Sequence, residues 1–517
     1  MKMLSRQLNQ APRLLLCIAI AAYAFYFSLF TISRYQRFYA HYFDLGIMHQ
    51  TVYNTYKGLE TGDLSRVLEL TNPHDGDEQV KRMLVHNDIL LAFLAPFYFI
   101  YPGPETLLVI QSVALALGAY AVYQISVIVL AKVRFHNWVA LLFALAYLLY
   151  PPMHRTNNYE FHAVALATPL LLYTYYFWLQ GKHRAMLICA ALALISKEQT
   201  GLTVASFAAY GMITQYGKEL QQIVTAKKSL FIKGTTKLVN KLFRDKKTQT
   251  MRRLGTISFL WVVVSMVLII PYFRGESHFG SYFYSHLVYN PFSFFTYIFR
   301  EKTFVYLTQL FSPYGLLPLF SPFHLMIVGL EFLLNILSNN DNMRNMYFHY
   351  TAVLHPFIAV AAIYGFRNIL LLSQKFIKVQ AIQRFIALAV LTFFICSVGY
   401  NVYIQSPLPY AKQQDLYPWR ELPANYSDIM QWQRILADDQ IKVATTGHFA
   451  PHFTSRQYYY EITKYTNAEY VIVNPWETQH GYLSYKARPA YRALIKDPNY
   501  IKIYDRNEVE VYKRVKN

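Results

Sequence analysis

A succession of apolar runs decides most of what this chain can fold into. The hydrocarbon core of a bilayer is roughly 30 Å thick and takes about 20 apolar residues as an α-helix, or fewer where neighbouring helices shield the segment. Hydrophobic residues make up 54% of the 517 residues and charged residues only 15%, which excludes an ordinary soluble protein. We predict a polytopic α-helical membrane protein with eleven spans, at residues 14–32, 105–131, 138–150, 164–179, 185–195, 202–213, 254–272, 304–320, 325–337, 352–366 and 385–403.

Lys and Arg residues orient these spans. The net charge is +20, and cytoplasmic loops of membrane proteins keep an excess of Lys and Arg. Lys2, Arg6 and Arg13 precede the first run, which predicts a cytoplasmic N-terminus in a protein of the cell membrane. The most basic segment, residues 215–253, then falls on the same side, provided that the short apolar stretch at 89–102 is an interfacial helix and not a span.

Two interpretations of the basic segment stay open. Its charges can bind the anionic headgroups of the inner leaflet, or they can form a solvated run that has no partner. A nucleic-acid partner is not expected, because no recognition module surrounds the segment. Membrane lipids are therefore the expected neighbours of the helices and of the inner loops.

The residues after 404 have a different composition. Prolines at 407, 409, 418 and 423 indicate a linker, and residues 426–436 have helical spacing. Strands are predicted at 442–445, 470–473, 501–504 and 509–512. We therefore expect a transmembrane domain at 1–404, with a long first outer loop at 34–104, and a small extracytoplasmic α/β domain at 405–517.

Sequence motifs exclude several kinds of site. Cys17, Cys189 and Cys396 all lie inside apolar runs, so neither a disulfide framework nor a cysteine zinc site is indicated. Walker, G-x-G-x-x-G, H-E-x-x-H and G-x-S-x-G motifs are absent from the sequence. Soluble nucleotide chemistry is not expected. Polar residues instead gather in the predicted outer loops, where ionisable groups near a bilayer are costly unless they serve a function.

Three groups of outer residues are candidates for a site. Asp44, in Y-F-D-L-G-I-M, is either a general base with a perturbed pKa or an N-cap of the apolar stretch after it. Glu160 and His162 are two apart and would face one way on an extended loop. With Asp44 or His86 they form either a divalent-metal or acceptor site, or ordinary interfacial contacts. Lys197, Arg344 and His349 are candidates to bind a phosphate, although an outer lysine also snorkels without a ligand.

The first inside-to-outside helix, the long first outer loop with an early Asp, the interfacial helix and the soluble C-terminal region resemble the GT-C superfamily of integral-membrane glycosyltransferases. Shorter segments are similar to a prokaryotic family of predicted membrane proteins that is labelled as a domain of unknown function. These segments cover nearly the whole chain and are F-D-L-G-I-M at 43–48, H-N-D-I-L-L-A-F-L-A-P at 86–96, E-F-H at 160–162, S-K-E at 196–198, S-P-Y-G-L-L-P-L at 312–319 and E-F-L-L-N-I-L-S at 331–338.

The resemblance implies transfer of a sugar from a polyprenyl-phosphate donor to a glycan, lipid or protein acceptor on the outer face. It assigns to Asp44 the role of catalytic base or of a group that positions the acceptor. Many relatives have a second acid beside it, but here the neighbours are Phe43 and Leu45, so a metal-dependent mechanism is not implied. No cofactor follows from the resemblance beyond a divalent ion at the Glu160 and His162 position.

Two other classes of protein remain as alternatives. One is a transporter or flippase of lipid-linked sugars, and the other is a receptor-like protein whose spans only anchor an outer domain. The sequence has no inverted repeat, and its polar residues lie on one face and not at the midplane, which argues against a transporter. Eleven spans with charged outer turns exceed what an anchor needs.

Overall fold

The computed structural model describes residues 2–74, 76–224, 228–415, 418–481 and 483–515. Helices occupy each of the eleven predicted runs. They are Lys2–Gln36, Pro104–Val129, His136–Leu148, Ala167–Leu179, His183–Leu194, Thr200–Thr214, Gln249–Val264, Glu301–Phe311, Gly329–Leu337, His355–Phe376 and Gln380–Gln405.

Among the described residues, five helical segments are long and apolar enough to cross a membrane: Gln10–Gln36, Pro104–Val129, Lys246–Arg274, His355–Phe376 and Gln380–Gln405. The other helices of the set are shorter and pack among these five, with Ala140, Leu171 and Val204 fully buried. The protein is therefore a helical membrane protein. Eleven spans remain a prediction, because a short helix crosses a bilayer only where neighbours shield its ends.

The first outer loop is folded. It begins with a π-helical turn, Tyr42–Gly46, which runs into the helix Ile47–Thr61. A hairpin of Glu69–Thr71 with Gln79–Lys81 follows. The stretch predicted to be an interfacial helix forms a 3₁₀ helix, Ile89–Phe99.

Shorter helices lie between the long ones along the chain. Pro151–Asn158 follows the helix His136–Leu148 and is entirely buried. The basic segment forms the helices Gly217–Val224 and Lys228–Arg244. The outer segment after Gly275 folds into Ser285–Tyr289 and Ser293–Phe299, and Pro322–Leu325 precedes Gly329–Leu337.

The C-terminal region contains a five-stranded mixed sheet. Its order across the sheet is Tyr459–Glu461, Val443–Thr445, Tyr470–Val473, Val509–Arg514 and Tyr500–Arg506. The first three strands are parallel and the last three are antiparallel to their neighbours. Helices Tyr426–Ile435, Pro475–His480 and Ser484–Lys496 accompany the sheet. The helix Tyr426–Ile435 and four of the strands coincide with the predicted elements, whereas the strand Tyr459–Glu461 and the helices Pro475–His480 and Ser484–Lys496 were not predicted.

The C-terminal sheet shares a hydrophobic core with the first outer loop. Tyr42 and Ile47 of the loop are buried in one cluster with Phe449 and Val511 of the C-terminal region. Nε2 of His49 also lies 2.8 Å from the Ser455 hydroxyl. The C-terminal region is thus packed directly on the loop that carries Asp44, while its location outside the membrane remains a prediction.

Candidate active site

A cavity of about 250 Å³ lies where the first outer loop meets the ends of several helices. Its wall combines apolar side chains with an unusual number of ionisable and polar ones. The polar residues of the wall include Asp44, Arg82, His86, Asp88, His162, Lys197, Glu198, His278, His349 and Tyr350. The cavity therefore brings together five of the residues singled out from sequence, namely Asp44, His86, His162, Lys197 and His349.

Asp44 is held by two side chains from the loop before helix Ala167–Leu179. Its Oδ1 lies 3.0 Å from Nε2 of His162, and its Oδ2 accepts a hydrogen bond of 3.1 Å from the Tyr159 hydroxyl. Burial opposes ionisation, but these hydrogen bonds and the charge of His162 outweigh it and hold the pKa of Asp44 below its ordinary value. Because the π-helical turn is capped by His41 instead, Asp44 is a carboxylate facing a cavity and not a helix cap.

Glu160 supports the turn that carries Asp44. Its carboxylate accepts hydrogen bonds from the backbone N–H groups of His41, at 3.1 Å, and Leu45, at 2.9 Å. Burial and the charge of Asp44 raise the pKa of Glu160, while these amides oppose the rise. Glu160 lies outside the cavity wall, so its contact with the cavity is indirect.

The backbone at Glu160 separates the two side chains of the E-F-H motif. Its φ of +95° lies in a region that non-glycine residues rarely adopt, and surrounding contacts must hold it there. The amide of Gln111 supplies them, since it donates to the Glu160 carbonyl at 2.8 Å and accepts from the His162 N–H at 2.9 Å. The extended alternation expected from the sequence is therefore broken. Glu160 points behind the Asp44 turn, and His162 points to the Asp44 carboxylate.

Lys197 is a buried cation in the wall of the same cavity. Its exposed fraction is 7%, and burial lowers the pKa of its ammonium, although nearby Glu198 and Asp88 counteract this. Its Nζ lies 5.8 Å from the ring centroid of Tyr350, in a cation–π geometry. Within the described ranges of the chain, no carboxylate comes within ion-pair distance of this ammonium. Such burial is not the geometry of a lysine that snorkels to headgroups.

The remaining two phosphate candidates differ in position. His349 lines the cavity and stacks on His162, with ring centroids 3.8 Å apart. Burial and nearby His162 and Lys197 lower its pKa, so at neutral pH it offers a hydrogen bond and not a charge. Arg344 lies outside the wall. Its guanidinium donates to the carbonyl of Ile336 at 3.1 Å, which satisfies an acceptor at the C-terminal end of helix Gly329–Leu337. It also pairs with the carboxylate of Asp341.

A buried ion pair was missed by sequence reasoning. The guanidinium of Arg82 meets the carboxylate of Asp88 through Nε–Oδ1, at 2.9 Å, and Nη2–Oδ2, at 2.8 Å. Both side chains are almost fully buried, and both border the cavity. The geometry is the bidentate arrangement that fixes a guanidinium in place. The only sequence signal was the position of both charges just before an interfacial helix.

A second cluster joins His86, Glu198 and His278. Nδ1 of His86 lies 2.8 Å and Nε2 of His278 lies 3.7 Å from Oε1 of Glu198. Burial lowers the pKa of His86 to about 4. Burial opposes ionisation of Glu198, but the charge of His86, the hydrogen bond between the two and the nearby His278 hold the pKa of Glu198 well below its ordinary value. His86 and His162 both line the cavity, but His86 forms a set of possible metal ligands with Glu198 and His278. The sequence had instead suggested a metal ion held by His86 with Glu160 and His162.

The chain matches the sequence model of a protein family. Residues 34–511 match the family described as Predicted membrane protein (DUF2079), and the chain belongs to that family. This confirms the resemblance to a family of predicted membrane proteins of unknown function. No curated protein matches the chain.

Solved structures give a more distant likeness. A crystal structure of ArnT from Cupriavidus metallidurans bound to undecaprenyl phosphate is 12% identical, covers 96% of this chain and 98% of its own, and has a TM-score of 0.49. The apo structure of the same protein is 13% identical over the same coverage, with a TM-score of 0.48. A likeness this distant assigns no activity to the chain.

Proposed function

We propose that this protein is a GT-C-type membrane glycosyltransferase that moves a sugar from a polyprenyl-phosphate donor to an acceptor on the outer face of the membrane. One observation carries the proposal. A carboxylate that its surroundings keep ionised, Asp44, borders the same cavity as Lys197, a buried ammonium that has no ion-pair partner in the described part of the chain. These are the two groups that transfer from a phosphate-linked donor requires.

Each group has a role in the transfer. Asp44 accepts the proton of the acceptor nucleophile as that nucleophile forms its bond to the anomeric carbon of the sugar. The bond from that carbon to the phosphate oxygen breaks, and the oxygen keeps the electron pair. Lys197 stabilises the negative charge on the departing phosphate, and burial makes this interaction stronger than it would be in water. His162 and Tyr159 hold the Asp44 carboxylate in position.

The cavity also suits a lipid carrier. Part of its wall consists of Leu202 and Met266, which belong to the apolar helices Thr200–Thr214 and Lys246–Arg274, and of Phe283. A prenyl chain entering between helices would meet these side chains, with its phosphate directed to Lys197. The proposed acceptor is a glycan, a lipid or a protein, because Asp44 can accept the proton of any hydroxyl or amine.

The test separates binding from transfer. Purified protein in nanodiscs is given a panel of polyprenyl-phosphate sugars together with a cell-envelope extract that supplies glycan, lipid and protein acceptors. Release of polyprenyl phosphate is measured together with carrier binding by native mass spectrometry. Asp44→Asn is expected to abolish release and leave binding unchanged, whereas a transporter without chemistry would release nothing even as wild type. Asp77→Asn, an exposed acid of the same loop, is the matched control. Equal release of polyprenyl phosphate by wild type and Asp44→Asn would contradict the proposal.

The proposed orientation places the N-terminus in the cytoplasm and the C-terminal region outside. Lys237 is exposed on the helix Lys228–Arg244 of the basic segment. In a background with Cys17, Cys189 and Cys396 replaced, Lys237→Cys is expected to react with a membrane-impermeant maleimide only in inverted vesicles. Reaction in intact cells would reverse the assignment of every loop.

A further inference from the structure

We propose that His86, Glu198 and His278 bind a zinc-class divalent ion in the cavity wall. Their ligand atoms all lie within 4.8 Å of one another, and they form the one set of three such residues among the described parts of the chain. None of the three was grouped this way by the sequence, because they come from three separate outer segments. The site stands independently of sugar transfer.

The spacing fits zinc. Zinc bonds of about 2.0–2.1 Å to nitrogen and oxygen in a tetrahedral arrangement place ligand atoms about 3.3 Å apart. The two distances to Oε1 of Glu198, 2.8 Å from His86 and 3.7 Å from His278, lie on either side of that value. An ion at the centre of the set requires a shift of only about half an ångström in each of these two pairs.

The ligand types select the metal. Two imidazole nitrogens with one carboxylate oxygen suit zinc and neighbouring transition metals, whereas magnesium and calcium prefer oxygen ligands alone. Three protein ligands leave a further coordination position. Because all three residues line the cavity, that position is open to a water molecule or to an oxygen of whatever the cavity holds.

The surroundings of Glu198 favour coordination through one oxygen. The backbone N–H of Asn87 donates to Oε2 at 3.0 Å, which leaves Oε1 towards the two histidines. The Asn87 side chain is itself held by the Ser265 hydroxyl at 2.8 Å, in the π-helical turn of the helix Lys246–Arg274. Such contacts behind a ligand orient it and strengthen metal binding.

An ion here would tie three segments together. His86 belongs to the first outer loop, Glu198 to the turn between helices His183–Leu194 and Thr200–Thr214, and His278 to the outer segment after Gly275. That outer segment exposes large apolar side chains, among them Val288, Tyr289 and Phe292. The ion would fasten this otherwise exposed segment against the cavity.

The first experiment measures zinc on the full-length wild-type protein in detergent. After treatment with a chelator and addition of zinc, we expect about one tightly bound zinc ion per chain by mass spectrometry of the metal. Cobalt in its place should give the visible absorption of a tetrahedral site. Wild-type protein that retains less than about a tenth of an equivalent would overturn the proposal.

Variants then test the ligands. His86→Ala, Glu198→Gln and His278→Ala are each expected to weaken zinc binding by about 10-fold or more, and His278→Cys, which keeps a zinc ligand, should restore most of it. His286→Ala is the matched control, since this histidine lies in the same outer segment but stacks on Tyr297. Zinc binding by His278→Ala equal to that of wild type would exclude the assigned set.

Because these experiments measure bound metal, they test the zinc site separately from the proposed sugar transfer. Zinc binding with no sugar transfer by wild type would contradict the proposed function and support the zinc site. Sugar transfer by protein that binds no zinc would support the proposed function and contradict the zinc site.

Discussion

The two sides of the cavity differ in how completely the protein itself satisfies their charges. At one side, both oxygens of Asp44 have a partner, His162 for Oδ1 and Tyr159 for Oδ2. At the other, the ammonium of Lys197 has the Tyr350 ring beside it and no ion-pair partner among the described residues. The Asp44 carboxylate is therefore satisfied without a ligand, whereas we propose that a bound anion pairs with Lys197.

From this difference we infer which substrate binds at each side of the cavity. A buried charge is costly unless it is paired, so a site that keeps Lys197 unpaired is built for a ligand that brings a negative charge. A carboxylate that is already ionised and oriented needs a ligand that brings a proton. We therefore assign the donor phosphate to the Lys197 side and the acceptor to the Asp44 side.

The largest expected effect is at Asp44. Asp44→Asn removes the proton acceptor but keeps the size of the side chain, so kcat for sugar transfer should fall by about 10²–10⁴-fold. Carrier binding should stay within about twofold of wild type, because the phosphate is bound at the other side. A rise in KM for the donor with unchanged kcat would break the assignment of the two sides.

Lys197→Met should have the next largest effect. The substitution keeps the apolar stem and removes the charge, so we expect a loss of about 10²–10³-fold in kcat/KM together with weaker binding of polyprenyl phosphate. Lys57→Met, on a lysine that pairs with Glu60 on the helix Ile47–Thr61, serves as the control. Normal carrier binding by Lys197→Met would show that the phosphate binds at another part of the protein.

The ion pair of Arg82 and Asp88 tests how the wall is held together. Arg82→Met leaves a buried carboxylate without its partner and should reduce the free energy of unfolding by about 3–5 kcal/mol. The double variant with Asp88→Leu should recover part of that loss, because no uncompensated charge remains. Denaturant unfolding in detergent measures both. Equal stability of wild type and Arg82→Met would indicate that water reaches this pair.

Tyr159→Phe should have the smallest effect, seen in the pH profile. The Tyr159 hydroxyl helps to hold the pKa of Asp44 below its ordinary value, so its removal raises that pKa. Because the ionised form is the base, activity is lost as pH falls through this pKa, and the acidic limb of kcat/KM should move to higher pH by about 0.5–1 unit. A shift to lower pH, or none, would contradict the contact.

The outer cluster of polar residues was predictable in part. Asp44 stood out because a single carboxylate follows the first span, and Lys197 because it interrupts two apolar helices. The E-F-H motif was found as well, but the prediction that it is extended was wrong. The backbone at Glu160 adopts a φ of +95°, which no local sequence pattern predicts. Arg82 and His278 were not selected, because isolated charges in long outer loops give no signal of their partners.

Local periodicity and composition are enough to predict the class of protein and its helical runs, and the match over residues 34–511 identifies the family. The atoms that meet in the cavity depend on the tertiary structure. His162 and Asp44 are 118 positions apart, and Glu198 joins His86 across 112. Side chains so distant are brought together by the packing of whole helices and loops, and the chemistry of the cavity depends on those distances.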